Sequence, residues 1–213
     1  MKLTLRVAAP LVLVLVVAGA ASANTVNLTL NSVDNSMGGY GVGPYNFTTS
    51  TGQSLQLVCD DFSHEVFLTE TWTAVTAPFP GVGTLGTATQ YKEIAWLVED
   101  MFSPSNIVDP TAVGDIQWAI WDIFTPGVSS SDPSIGSADQ GRINNLVNQA
   151  KNPLNYGIGN YSNITIYTPV GAPPGYGLPQ EYFGITPVPE PGTLILVGMG
   201  LCGLLVFRRL FSH

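Results

Sequence analysis

The chain has 213 residues, of which seven are Lys or Arg and fifteen are Asp or Glu, for a formal net charge of −8. That length holds one domain with a sizeable core. The acidic balance excludes nucleic acid and anionic lipid as partners, since both select for clustered cations.

The N-terminus reads as a secretory signal peptide. Lys2 and Arg6 precede an apolar stretch from Val7 to Ala18, and Ala21-Ser22-Ala23-Asn24 supplies small residues in an Ala-x-Ala pattern. A basic start, an apolar core and a small-residue site are the marks of such a peptide, with cleavage expected after Ala23.

Thr25–Leu30 alternates polar and apolar residues and predicts a first strand. Residues 34–46 carry Gly38, Gly39, Gly41, Gly43 and Pro44 and read as a loop. Gln53–Cys59 alternates again, with Leu55, Leu57 and Cys59 on one face. Val66–Leu68 and Thr71–Val75 predict one or two more strands before a loop from Pro78 to Gly86.

The period then becomes helical. Tyr91, Ile94, Ala95, Val98, Met101 and Phe102 form one stripe, with Thr87 and Gln90 as a capping box and Ser103-Pro104 as the stop. A second helix is predicted over Ala112–Phe124. A third is predicted over Ala138–Lys151, with Ser137 and Gln140 as its capping box and Ile143, Leu146, Val147 and Ala150 as its stripe. Strands resume at Ile164–Tyr167 and Tyr182–Ile185, separated by a Gly/Pro loop over Pro169–Pro179. The expected fold is α+β: an antiparallel β sheet or sandwich with about three inserted helices, plus a C-terminal transmembrane helix.

The C-terminus is a second address. Pro189-Glu190-Pro191 is followed by an apolar run from Thr193 to Phe207 and then by Arg208-Arg209. As a helix the run spans about 22 Å, short of the roughly 30 Å of a bilayer core. Extended to Phe211 it reaches about 28 Å if both arginines snorkel, and those arginines favour the cytoplasmic side. The run has no polar face, unlike a helix packed on a soluble domain. Gly198-Met199-Gly200-Leu201-Cys202-Gly203 has the G-x-G-x-x-G spacing but no preceding strand, so these glycines read as a helix-packing face.

This tail resembles the PEP-CTERM sorting signal of Gram-negative bacteria, carried by Pro189, Glu190, Pro191, Arg208 and Arg209. The resemblance implies that an exosortase-type enzyme recognises the triplet and removes the helix. It also implies a protein anchored at the inner membrane before processing, then placed at the cell surface or in an exopolysaccharide matrix. The chain thus divides into a signal peptide (1–23), an extracellular domain (24–186) and a sorting tail (187–213). The middle region keeps three basic residues, Lys92, Arg142 and Lys151, against fourteen acids, a net charge of −11.

Trimming leaves Cys59 without a cysteine partner, because Cys202 lies in the tail. An unpaired cysteine in an exported domain is either a reactive thiol or an inert buried one. His64 is five residues on, an odd spacing that points it to the opposite face of a strand, so a cysteine hydrolase is not expected. Asp60, Asp61, His64 and Glu65 lack the spacing of a calcium loop or a zinc site and read as a solvated acidic turn; no metal or cofactor is expected. Two distant acids converging as a glycosidase pair remain an alternative, a secreted polysaccharide hydrolase.

Val58-Cys59-Asp60-Asp61, the helical segment Ile116-Gln117-Trp118-Ala119-Ile120-Trp121 and a late glutamine together resemble the thioester domains of bacterial surface adhesins. Ile116 stands where that family usually has Thr. The resemblance implies a bond between Cys59 and a glutamine on a late strand, where Gln180 fits better than Gln149. Gln117 and Trp121 would support that site, with Trp96 and Trp118 helping to exclude water. The expected function is a non-enzymatic exported surface or matrix protein with a structural or adhesive role. The alternative is covalent adhesion through the thioester to exopolysaccharide or to surface-protein amines.

Overall fold

The structure, a computed structural model, describes residues 24–185 apart from residue 82. The predicted cleavage residues Ala21 and Ala23 and the whole sorting tail, including its apolar run, lie outside the described residues. Among the described residues no helix is long and apolar enough to cross a membrane.

Six antiparallel strands form a closed barrel: β1 (Asn24–Met37), β2 (Tyr40–Thr49), β3 (Ser54–Cys59), β4 (Thr71–Pro78), β5 (Ile164–Pro169) and β6 (Tyr182–Ile185). Their order around the barrel is β1-β2-β3-β6-β5-β4. Three longer helices, α1 (Ala88–Met101), α2 (Pro110–Phe124) and α4 (Ser137–Ala150), lie between β4 and β5 in sequence. Two single turns, α3 (Val128–Ser131) and α5 (Pro153–Tyr156), accompany them. The sheet is therefore antiparallel with inserted helices, and it closes on itself instead of stopping as an open sheet or splitting into a sandwich. Closure removes the unpaired strand edges that an open sheet would expose.

The segment 34–46 is the largest departure from the sequence reading, for most of it is strand. Gly38 and Gly39, at φ 66° and 83°, make a two-residue turn that reverses β1 into β2. Positive φ at both central residues suits the right-handed twist of paired strands, and glycine adopts it without steric penalty. The segment Val66–Leu68 is not a strand; there the Phe67 N–H donates to the Glu70 carboxylate at 2.8 Å.

The helices follow their patterns more closely. Thr87 and Gln90 form the predicted capping box of α1. Helix α2 begins earlier than expected because the Asp109 side chain caps it and Pro110 occupies the first turn. The capping box predicted for α4 is not made: Gly136 is its N-cap, with no side-chain bond, and Gln140 bonds the Ser129 hydroxyl at 2.9 Å. Of the α4 stripe, Ile143 and Ala150 are fully buried, while Leu146 and Val147 are partly so.

Strand alternation gives β3 and β6 two different buried faces. Tyr45, Phe47, Trp72 and Tyr182 meet inside the barrel, with ring centroids 5.0–6.2 Å apart. Cys59 pairs with Tyr182 across β3 and β6 and shares that interior face. Val58 pairs with Phe183 on the other face, where Phe183 stacks on Tyr91 of α1 at 5.8 Å. Gly184 sits where a Cβ would come within 2.6 Å of Leu57, which keeps the interior closed at that point.

Candidate functional site

Cys59 ends β3, and its side chain is wholly buried. Its thiol donates to the Asp61 carbonyl at 3.2 Å. Gln180, two residues before β6, donates its side-chain N–H to the same carbonyl at 2.8 Å. The carboxamide oxygen of Gln180 accepts from the buried Tyr182 hydroxyl at 2.9 Å. Thiol and carboxamide thus meet at one backbone oxygen, although the residues are separated by most of the domain. Gln149, the other glutamine weighed from the sequence, is exposed on α4.

Gln117 of α2 fixes the strand end from the other side. It donates to the Cys59 carbonyl at 2.5 Å and accepts from the Gly43 N–H at 3.1 Å. A single buried amide so joins β2, β3 and α2. Both of its bonds go to backbone, so its role is to hold the Cys59 main chain in place.

Aromatic rings cover this junction. Trp118 and Trp121 of α2 contact each other at 5.1 Å, and Phe62 lies 5.6 and 5.2 Å from them. Tyr40 packs on Phe62 at 5.3 Å and on Trp118 at 5.4 Å. Trp96 is half-buried and has no ring contact with this group. The Trp121 indole N–H has no hydrogen-bond partner among the described residues, and its nearness to the Cys59 sulfur favours the ionised form. Burial, then the charge of Asp60, outweigh it and push the Cys59 thiol well up.

The reading of Asp60 and Asp61 as a solvated turn is overturned. Asp60 is 0% exposed and Asp61 3% exposed. The Asp61 carboxylate accepts from the Ser63 N–H at 2.9 Å, the Ser63 hydroxyl at 2.6 Å and His64 Nδ1 at 2.6 Å. His64 therefore pairs with Asp61, while the thiol turns to the Asp61 main chain. Asp60 lies beside Glu181, whose carboxylate accepts from the hydroxyls of Tyr91 and Thr168 and from the Thr84 N–H. Neither Asp60 oxygen has a hydrogen-bond partner among the described residues, so nothing offsets the cost of burying its charge.

Burial, then repulsion from Glu181 and Asp61, hold the Asp60 carboxyl well above its ordinary value of 3.8. The folded chain then carries a proton that the unfolded chain has lost, so this group's contribution to stability falls as pH rises above 3.8. Asp60→Asn keeps the shape of the side chain without that titration. Urea unfolding across pH should show the variant's slope relieved by up to about 1.4 kcal/mol per pH unit over the window in which Asp60 is protonated only when folded. An unchanged slope would contradict a proton held on Asp60 in the folded chain.

A cavity of about 300 Å³ opens beside the junction, bordered by Tyr40, Tyr45, Phe62, His64, Trp121 and Gln180 among others. Asp60 and Glu181 do not border it, which removes them as a glycosidase pair acting there. Among the described residues no three His, Cys, Asp or Glu side chains are grouped as metal ligands. The role of Asp61 was missed from the sequence because its carbonyl is the meeting point, and a backbone atom leaves no residue-type signal.

Residues 187–209 match the PEP-CTERM protein-sorting motif. That motif marks an exported protein sorted through its C-terminus and is associated with exosortase processing. No curated protein matches the chain in sequence. Solved structures similar to it include two adhesin-type proteins. The pilus-presented adhesin Cpa is 14% identical, with a TM-score of 0.49 over 78% of this chain and 46% of that one. The N-terminal thioester domain of the protein F2 like fibronectin-binding protein from Streptococcus pneumoniae is 12% identical, with a TM-score of 0.46 over 76% and 92%. This chain spans less than half the length of the first.

Proposed function

We propose that residues 24–186 form an adhesive surface domain that attaches covalently to its target through an internal thioester between Cys59 and Gln180. The observation that carries this is the convergence of thiol and carboxamide on the Asp61 carbonyl. In the forming step the Cys59 sulfur bonds to Gln180 Cδ, the Cδ–Nε2 bond breaks, and ammonia leaves with the thiol proton. A hydroxyl or amine of the target later takes the acyl group and frees the thiol. Each molecule reacts once, so the protein is not an enzyme in this reading.

Burial serves this chemistry in a specific way. A thiol held in its neutral form is a poor nucleophile for outside substrates. An intramolecular reaction needs only one favourable encounter, and the rings of Phe62, Trp118 and Trp121 then keep water from the ester. The sorting tail would deliver the domain to the outer surface or matrix, where exopolysaccharide hydroxyls or protein amines are the targets.

Intact-mass spectrometry of protein recovered from the producing cell tests this directly. The recovered chain should weigh about 17 Da less than its encoded residues, the mass of one ammonia, and methylamine should abolish the deficit. The same spectrum reads whether residues 1–23 and the tail have been removed. A full encoded mass with a freely alkylated Cys59 would end the thioester reading.

A further inference from the structure

Asp61 holds a third reactive group besides the thiol and the carboxamide. Its carboxylate accepts from His64 Nδ1 at 2.6 Å, and the Ser63 N–H and hydroxyl brace the other oxygen. An imidazole that donates through Nδ1 carries its free lone pair on Nε2. No described residue bonds that second nitrogen. The His64 side chain is 34% exposed, against 4% for Asp61, so the buried acid orients an imidazole that solvent and ligand can reach.

His64 and Gln180 border the same cavity, and its other walls include the rings of Tyr40, Phe62 and Trp121. The histidine and the glutamine that would supply the acyl carbon thus border one space, at the small end of the roughly 300–1,000 Å³ common for ligand sites. Among the described residues no Lys or Arg lines it, and Glu65 is the one carboxylate in its walls. Such a space suits a neutral, hydroxyl-rich ligand, whose C–H faces lie on rings while its hydroxyls reach the polar groups. An anionic sugar would meet Glu65 with no cation to balance it.

Resting on the thioester reading, we propose that His64 is the general base for transfer of the Gln180 acyl group to a hydroxyl of a neutral carbohydrate seated in this cavity. An alcohol oxygen is a weak nucleophile until its proton leaves, so a fixed base matters most for hydroxyls. A free amine attacks a thioester without that help. In the transfer, His64 Nε2 takes the hydroxyl proton as the oxygen bonds to Gln180 Cδ. The Cδ–S bond breaks, and the departing Cys59 sulfur receives the proton from the imidazolium. The products are a Gln180 ester and a free thiol, with the imidazole restored. The arrangement follows the logic of an acid-oriented histidine in acyl transfer.

The test compares the purified exported protein with its His64→Ala and His64→Gln variants, using glycerol and, separately, methylamine as nucleophiles and intact mass as the readout. All three proteins should begin with the deficit of about 17 Da, which shows that the thioester has formed. Both variants should acquire glycerol about 100-fold more slowly than the parent, while methylamine uptake is little changed. Equal glycerol rates would overturn the proposal, as would a parent that takes methylamine and no glycerol. Loss of the deficit in the variants alone would also overturn it, by placing His64 in bond formation. A parent at full encoded mass removes the thioester itself, and this is seen before any nucleophile is added.

Discussion

Replacing Cys59 with Ala should return the protein to its full encoded mass and abolish covalent capture of every nucleophile. Replacing Gln180 with Ala should do the same, since the bond needs both the sulfur and the acyl carbon. The two variants part company in stability. Cys59→Ala removes a small buried group whose single hydrogen bond goes to a carbonyl that also accepts from Gln180. Gln180→Ala leaves the Tyr182 hydroxyl, on a wholly buried residue, without its acceptor. Stranding a buried polar group costs about 1–3 kcal/mol, so the Gln180 variant should show the lower urea midpoint. A mass deficit that persists in Gln180→Ala would assign the acyl carbon to another glutamine. Exposed Gln149 on α4 is poorly placed for it.

The helices were legible because their signals are local. The Thr87/Gln90 capping box and the stripe from Tyr91 to Met101 lie within one short stretch, and the structure repeats both. The β1–β2 hairpin was hidden by the same glycines that build it. Five Gly or Pro positions read as loop, yet two make a turn and the rest are accommodated within strands. Barrel closure was not legible at all. It depends on β3 meeting β6 and β4 meeting β5 across the whole helical insertion, and alternation reports a strand's faces without naming its neighbours.

The candidate site divides along the same line. Cys59, Gln117, Trp121 and Gln180 were identified as residue types, while their meeting point is a main-chain atom of Asp61 that no pattern marks. Asp60 and Asp61 looked solvated because charged residues are seldom fully buried. Asp60 is instead buried beside Glu181, remote in sequence, with its carboxyl pushed toward the neutral form, while Asp61 gains a local partner in His64. His64 was set aside on the geometry of an extended strand, but β3 ends at Cys59 and the bend after it frees the imidazole from that alternation.

Trp118→Ala should be the most destabilising single change considered for the site. Trp118 is 0% exposed at the centre of α2, and its ring contacts Trp121, Tyr40 and Phe62. Its ring also lies 3.2 Å from where a Cβ on Gly38 would stand, against the turn between β1 and β2. Truncation of a buried Trp costs about 3–5 kcal/mol through lost contacts and the cavity left behind. Its indole N–H has no partner among the described residues, so the loss is one of packing and strands no other polar group. Against a typical domain stability of about 5–15 kcal/mol, the variant should fold but with a sharply lower urea midpoint. Trp96→Ala, at a half-buried ring outside the cluster, should cost less. The functional consequence separates packing from chemistry. Tyr40 and Phe62 both rest on Trp118, so its loss should admit water to the Cys59–Gln180 bond while leaving both reacting residues in place. Freshly folded Trp118→Ala protein should therefore show the mass deficit and lose it by hydrolysis faster than the parent. A deficit as durable as the parent's would mean that these rings stabilise the fold without shielding the bond.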